Sequence, residues 1–276
     1  MNRIVSLLML LVCVQGFAQA SREEFKEKYD RQVRNLGYAG VGVETILDKW
    51  EEAFPEDMEA KMARFYLYLN RNKVVEMVRK DQDKFLGASP SVTFKDENGN
   101  PVYYYEETFY EDHSFEESQK YIDSLIKSYP EVLDFRIAKI NSLFELEKES
   151  PELAFASLLQ MSGLYKSSGS GLTVGGEKVD ADTFIEIIQE YCVMLYSIKN
   201  NYCFECFYNL SVKMAKEFPS YPGFLDNQGS YWLVVKNQPK KAIQFYDKAL
   251  KLDPKDVAAL RNKQVAQRYI ANSKKK

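Results

Sequence analysis

Apolar residues along this chain fall mostly at helical spacing. In PKKAIQFYDKALKLDP (Pro239–Pro254) they stand at Ala242, Phe245, Tyr246, Ala249 and Leu250, one stripe of a helix that ends at a proline. The same period predicts helices near 22–36, 43–54, 57–70, 72–85, 115–128, 132–147, 150–167, 181–198, 202–217, 221–236, 239–252 and 256–271. Two stretches break the rhythm. SSGSGLTVGGEKVDAD (Ser167–Asp182) is rich in Gly and Ser and reads as a flexible loop, with Asp180 or Asp182 capping the helix that follows. In SVTFKDENGNPVYYYEE (Ser91–Glu107), Val92 and Phe94, then Val102 and Tyr104, alternate around Asn98-Gly99, which predicts a β-hairpin. Pro101 has no N–H for a ladder and belongs in its loop or at a strand edge.

The helix stops repeat. EEAFPED, IKSYPEV, AKEFPSY and KLDPKD place Pro55, Pro130, Pro219 and Pro254 just after a helix. Pro219 and Pro254 are 35 residues apart, and Pro55 and Pro130 are 75 apart, about twice that. A period of about 34 residues, each a helix pair, predicts an array, because one pair cannot bury both of its apolar faces alone.

Residues 223–256 resemble a tetratricopeptide repeat. Gly229 and Ser230 are the small residues of a first helix that a partner helix approaches closely. Ala242, Tyr246 and Ala249 match the small-aromatic-small ladder of the second, and Pro254 matches the closing proline. Leu233 departs from the family's frequent Tyr. Residues 113–130, and 132–167 around Ala154 and Ala156, are looser matches. The whole chain also resembles a group of exported tetratricopeptide-like proteins of Bacteroidetes, through NLGYAGVGVETILDKWEEAFPED and LGASPSVTFKDENGNPVYYYEE. That resemblance brings no biochemical activity with it. It implies a concave binding surface lined by first helices, whose positions here match Phe224, Asn227 and Tyr231.

The first twenty residues add a compartment. Arg3, the apolar run Ile4–Val14 and Ala18-Gln19-Ala20 read as a secretory signal peptide, excluded from the fold. Cys13 follows Val12, where lipid attachment wants a small residue. No later stretch reaches the roughly 20 apolar residues a spanning helix needs. A formal charge of −3 gives no electrostatic case for nucleic acid. The Lys274–Lys276 tail reads as a solvated end. Past the signal, Cys192, Cys203 and Cys206 are an odd set for a disulfide framework, so the fold must rest on a core.

Candidate chemistry is sparse. His113, the single histidine, precedes a helix in YEDHSFEE, where Ser114 and Glu117 form a capping-box pattern, so it reads as a residue near a cap and not as a base. GSGLTVGG lacks both the preceding strand and the Lys-Ser/Thr of a phosphate loop. Asp96, Asn98, Asn100 and Glu107 have calcium-loop spacing, but Pro101 stands where the sharp turn needs Gly, which leaves no metal site. Cys203 and Cys206 in CFEC sit near a helix start, but no strand precedes them as in thioredoxin-type motifs, and buried small hydrophobes are the favoured reading. Strand alternation sends Phe94, Val102 and Tyr104 inward and Tyr103 and Tyr105 outward, where exposed tyrosines suit contact with a protein or sugar.

The expectation is an all-α, tetratricopeptide-like helical-hairpin solenoid with one small β-hairpin insertion. It has a signal peptide at 1–20, an N-terminal helical region at 21–112 carrying the hairpin at 91–106, and helical repeats at 113–276. The clearest repeat spans 223–256, with a capping helix at 256–271. The expected function is non-catalytic: a protein-interaction or scaffolding module of the cell envelope, periplasmic or at the surface. It would use no cofactor and bind a protein or extended peptide through Phe224, Asn227, Tyr231, Tyr103 and Tyr105. The alternatives are a thiol oxidoreductase using Cys203 and Cys206, and a glycan-binding accessory using the hairpin tyrosines.

Overall fold

The computed structural model describes residues 21–168 and 171–273. The signal peptide expected over 1–20 and the lysine tail lie outside them. The chain is mostly helical and divides into two compact units between Arg71 and Asn72, so the strand region belongs with the C-terminal helices and not with the N-terminal ones.

The first unit holds α1 (Arg22–Leu36), α2 (Val43–Ala53) and α3 (Met58–Asn70). Each buries one stripe in a common core built on Phe25, Tyr29, Leu47, Trp50, Ala60 and Leu67. Asp57 joins the three. Its carboxylate caps α3 by accepting from the Glu59 N–H at 2.9 Å, accepts from the Trp50 indole at 3.0 Å, and meets Arg22 Nε at 2.8 Å.

The second unit opens on a correction. The helix expected over 72–85 is strand β1 (Val74–Lys80). Val74, Val75, Met77 and Val78 mimic a helical stripe, yet three of the four are β-branched, and Asn72 at φ 58° breaks away from α3. The partner that fixes the strand, β3 (Pro101–Phe109), lies far off in sequence, beyond any local periodicity. With β2 (Val92–Lys95) they form an antiparallel sheet in the order β1-β3-β2, so the single hairpin expected supplies one edge and the central strand of a three-stranded sheet. The β2–β3 turn is closed by Asp96, whose carboxylate accepts from the Asn98 and Asn100 N–H groups at 2.9 and 2.8 Å, with Gly99 at φ 82°. The calcium-like spacing is turn chemistry.

The expected strand faces fail at Tyr105 and Phe94, whereas Val102 is buried as expected. Tyr105 is 4% exposed and Phe94 is 59% exposed. Tyr105 packs on Phe85, donates its hydroxyl to the Gln82 carbonyl at 2.9 Å, and shares its side of β3 with buried Glu107. Tyr103 and Tyr104 are half-buried. Pairing with β1 adds a strand that the hairpin reading lacks, and the face carrying Glu107 is the one tied to the helices through Lys148.

Helices α4 (Asp112–Ser128), α5 (Leu133–Glu147), α6 (Glu152–Ser162) and α7 (Leu164–Ser168) follow, then α8 (Ala181–Ile198), α9 (Asn201–Glu217), α10 (Gly223–Ser230), α11 (Pro239–Leu252) and α12 (Val257–Ser273). Sequence neighbours pack on one another: α4 on α5, α5 on α6, and α8 through α12 in succession. Gly163 splits the helix expected over 150–167, and α10 passes directly into a π-helical turn, Tyr231–Val235. The N-cap of α4 is Glu111, which accepts from the His113 and Ser114 N–H groups, and not the expected Ser114–Glu117 box; the Ser114 hydroxyl is drawn to Glu111 instead. Asp180 caps α8 as expected. The Gly/Ser segment before it holds a two-residue ribbon, β4 (Thr173–Val174) and β5 (Glu177–Lys178), turned by Gly175 and Gly176 at positive φ and flanked by buried Leu172 and Val179.

The four proline stops share one geometry. Phe54, Tyr129, Phe218 and Asp253 each precede the proline with φ between −122° and −136°. The proline ring pushes its predecessor out of helical conformation. Each of the four donates its N–H to the carbonyl four residues back, at 2.8–3.0 Å, and accepts at 3.1 Å from the N–H three residues on, at Asp57, Val132, Tyr221 and Asp256. Between α10 and α11, a Cβ on Gly229 would collide with the Tyr246 ring, so only glycine allows that approach, and Ala242, Tyr246 and Ala249 are fully buried.

Candidate functional site

A groove of about 480 Å³ runs between α4, α5 and α6. Phe115 of α4 and Leu143 of α5 are buried at its floor, while Leu146 and Leu153 stand on its rim at 39% and 60% exposure. Glu147 places the rim. Its carboxylate reaches from the end of α5 to accept from the Leu153 and Ala154 N–H groups, both at 2.8 Å, and so caps α6 with Leu153 on the outside.

One end of the groove is polar. Gln119 donates to the Ser142 hydroxyl at 3.0 Å, while its own carbonyl oxygen is buried with no hydrogen-bond partner. Lys139 pairs with Asp123 at 2.5 Å, and Lys139, Ser157 and Gln160 continue into a smaller adjoining pocket that also reaches Arg136. Burial lowers the Arg136 pKa, and its Nε lacks a partner although a terminal nitrogen bonds the Pro130 carbonyl at 3.3 Å. An apolar trough with unmet hydrogen-bonding capacity at one end suits a partner segment that is apolar along its length and polar at its end.

The sequence-derived candidates lie elsewhere. Phe224 and Tyr231 are 0% and 2% exposed, so they are core residues and not a binding face; Tyr231 stacks on Tyr208 with ring centroids 4.3 Å apart and donates to Glu205. Asn227 is half-buried and donates to Gln189 at 2.8 Å. Tyr105 is buried and Tyr103 half-buried, so the outward tyrosine pair does not form. Phe94, more exposed than Phe109, the other exposed aromatic of that sheet, meets Tyr104 edge-on at 78° and makes no flat platform. No groove residue was singled out in sequence as a contact. The available signal was that Leu146 and Leu153 fall outside the buried stripes of their helices.

Cys192, Cys203 and Cys206 are buried and unpaired. Burial pushes the Cys203 and Cys206 thiols up to about 11, and Cys192 to about 12, so none is a thiolate at neutral pH. Among the described residues no cluster of His, Cys, Asp and Glu has the makings of a metal site, and no helix is long and apolar enough to cross a membrane. A comparison against protein-family models finds no match, and neither does one against curated proteins.

Proposed function

We propose that this chain is a non-catalytic binding or scaffolding module of the cell envelope, built as a tetratricopeptide-like array and exported by the signal at residues 1–20. The groove between α4, α5 and α6 carries the reading: two leucines exposed on a rim above an apolar floor favour an amphipathic segment of another protein. The array reading draws support from the four alike proline turns, from the packing of successive helices, and from the Gly229–Tyr246 approach in the 223–256 repeat. The export reading draws on the residues of the signal alone. The three buried thiols, with pKa values pushed up, do not favour the oxidoreductase alternative.

Peptides selected from a random library against the wild-type chain test the reading. Segments with apolar residues at helical spacing are expected, and Leu146→Asp with Leu153→Asp should abolish their binding while leaving the circular-dichroism spectrum unchanged. Selection of no such peptide, or full binding by the double variant, would remove the groove as the site.

A further inference from the structure

The sheet of the second unit has two outer edges, and they are treated differently. The β2 edge is four residues long, with Pro90 two residues before it and Lys95 at its end, which are common protections against pairing with another chain. The β1 edge has seven residues, no proline, and a register with β3 unbroken from Val74↔Phe109 to Lys80↔Tyr103. Val75 and Met77 on its open face are 53% and 47% exposed; Val92 and Phe94 of β2 lie on the same face of the sheet, beyond Arg79 and Glu106. By strand alternation Val75, Met77 and Arg79 share that side, and Lys73 stands immediately before the strand. Lys73 and Arg79 form no ion pair among the described residues, whereas Lys80, on the opposite face, is held by Glu107.

We propose that the β1 edge is a docking site for an extended strand of a partner protein, carrying two carboxylates that bracket two apolar residues at alternate positions. Backbone groups of the unpaired edge supply the ladder, Val75 and Met77 supply the apolar contact, and Lys73 and Arg79 select the flanking acids. Charge disfavours a second copy as the occupant. An antiparallel self-pairing that sets Val75 against Met77 of the other copy also sets Lys73 against Arg79, and like charges directly opposite repel. This site is independent of the groove between α4, α5 and α6.

The test uses the full chain and a capped peptide, Glu-Thr-Val-Thr-Val-Thr-Glu, followed by titration calorimetry at low and high salt. Binding that weakens with salt is expected. Arg79→Glu should weaken it about fivefold or more, and a peptide with Lys at the matching end should restore it. N-methylation of the alternate amides that face β1 should abolish binding, and N-methylation of the other set should not. Leu146→Asp with Leu153→Asp should bind this peptide as the wild type does, which separates the edge from the groove. The proposal is overturned by absence of binding at millimolar peptide, by indifference to Arg79→Glu, by equal loss from both methylation patterns, or by sedimentation showing that the chain pairs with itself through β1.

Discussion

Replacing Glu107 by Gln probes how the sheet is held to the helices of its unit. The carboxylate is 6% exposed, with Lys80 Nζ at 2.5 Å from one oxygen and Lys148 Nζ at 2.5 Å from the other. Lys80 approaches off the hydrogen-bonding direction, so its contribution is mainly charge. Removing one member of a buried ion cluster typically costs about 3–5 kcal/mol, because it strands the remaining charges. Both lysines are about a quarter exposed and can turn partly to water, which brings the expected loss to about 2–3 kcal/mol. In a unit of this size that is a fall in melting temperature of roughly 4–12 °C. Burial alone would raise the Glu107 pKa, but the hydrogen bond from Lys148 and the charges of Lys148 and Lys80 outweigh it and hold the group below its ordinary value. A depressed carboxyl pKa stabilises the fold above the unfolded value of about 4.3, and that stability is lost as pH falls through the folded pKa. The wild-type protein and the Glu107→Gln variant should therefore differ at pH 7, and the difference should shrink as pH falls below about 4.3 and through the folded pKa. Thermal melts across pH, with hydrogen exchange read on peptides from β1 and β3, measure both. A melting difference within about 1 °C at pH 7, or no faster exchange in the strands, would refute the reasoning.

Other substitutions test other links. Ala249→Leu, or a Cβ added at Gly229, overfills the α10–α11 contact and should lower stability by about 1–3 kcal/mol in denaturant titrations. Tyr105→Ala should lower stability by about 3 kcal/mol and Phe94→Ala by less than about 1 kcal/mol; the opposite order in thermal melts would restore the faces expected from sequence. Cys192, Cys203 and Cys206 should resist alkylation at pH 7 until denaturant is added, and mass spectrometry showing prompt labelling of Cys203 or Cys206 would revive thiol chemistry. Burial, opposed in part by Asn262, pushes Asp226 up to about 6. A raised carboxyl pKa penalises the folded state while the group is ionised, so stability should rise as pH falls through 6 toward 4. Asp226→Asn should flatten that slope in melts from pH 4 to 8.

Most helices were legible because each carries its own signal: an apolar stripe, a cap, and a residue held extended before proline. The ends of α2, α4, α9 and α11 at Pro55, Pro130, Pro219 and Pro254 follow from local chemistry alone. Strand β1 was not legible, since Val74, Val75, Met77 and Val78 fit a helical stripe until Phe109 and its neighbours arrive from 35 residues away. The same missing strand misplaced Tyr105 and Phe94, because alternation shows which residues share a side but not which side meets the helices. The groove escaped for a related reason. Leu146 and Leu153 look like ordinary surface leucines in sequence, and only the Glu147 cap that brings α6 beside α5 sets them on one rim.

The proline turns also bear on how the chain reaches its fold. Each turn closes through hydrogen bonds that span three or four residues, and within the runs α1 to α3, α4 to α6 and α8 to α12 each helix packs on the next one along. Contacts of such short range are formed with little loss of chain entropy, so each helix pair can assemble as soon as its second helix exists, in order from the N-terminal end. The sheet of the second unit is the exception. Strand β1 must wait for β3, and Glu107 meets Lys148 only after a further 41 residues. The rate of folding should therefore be governed by the sheet and its junction to α5, whereas the helices from α8 to α12 should form early and independently of it.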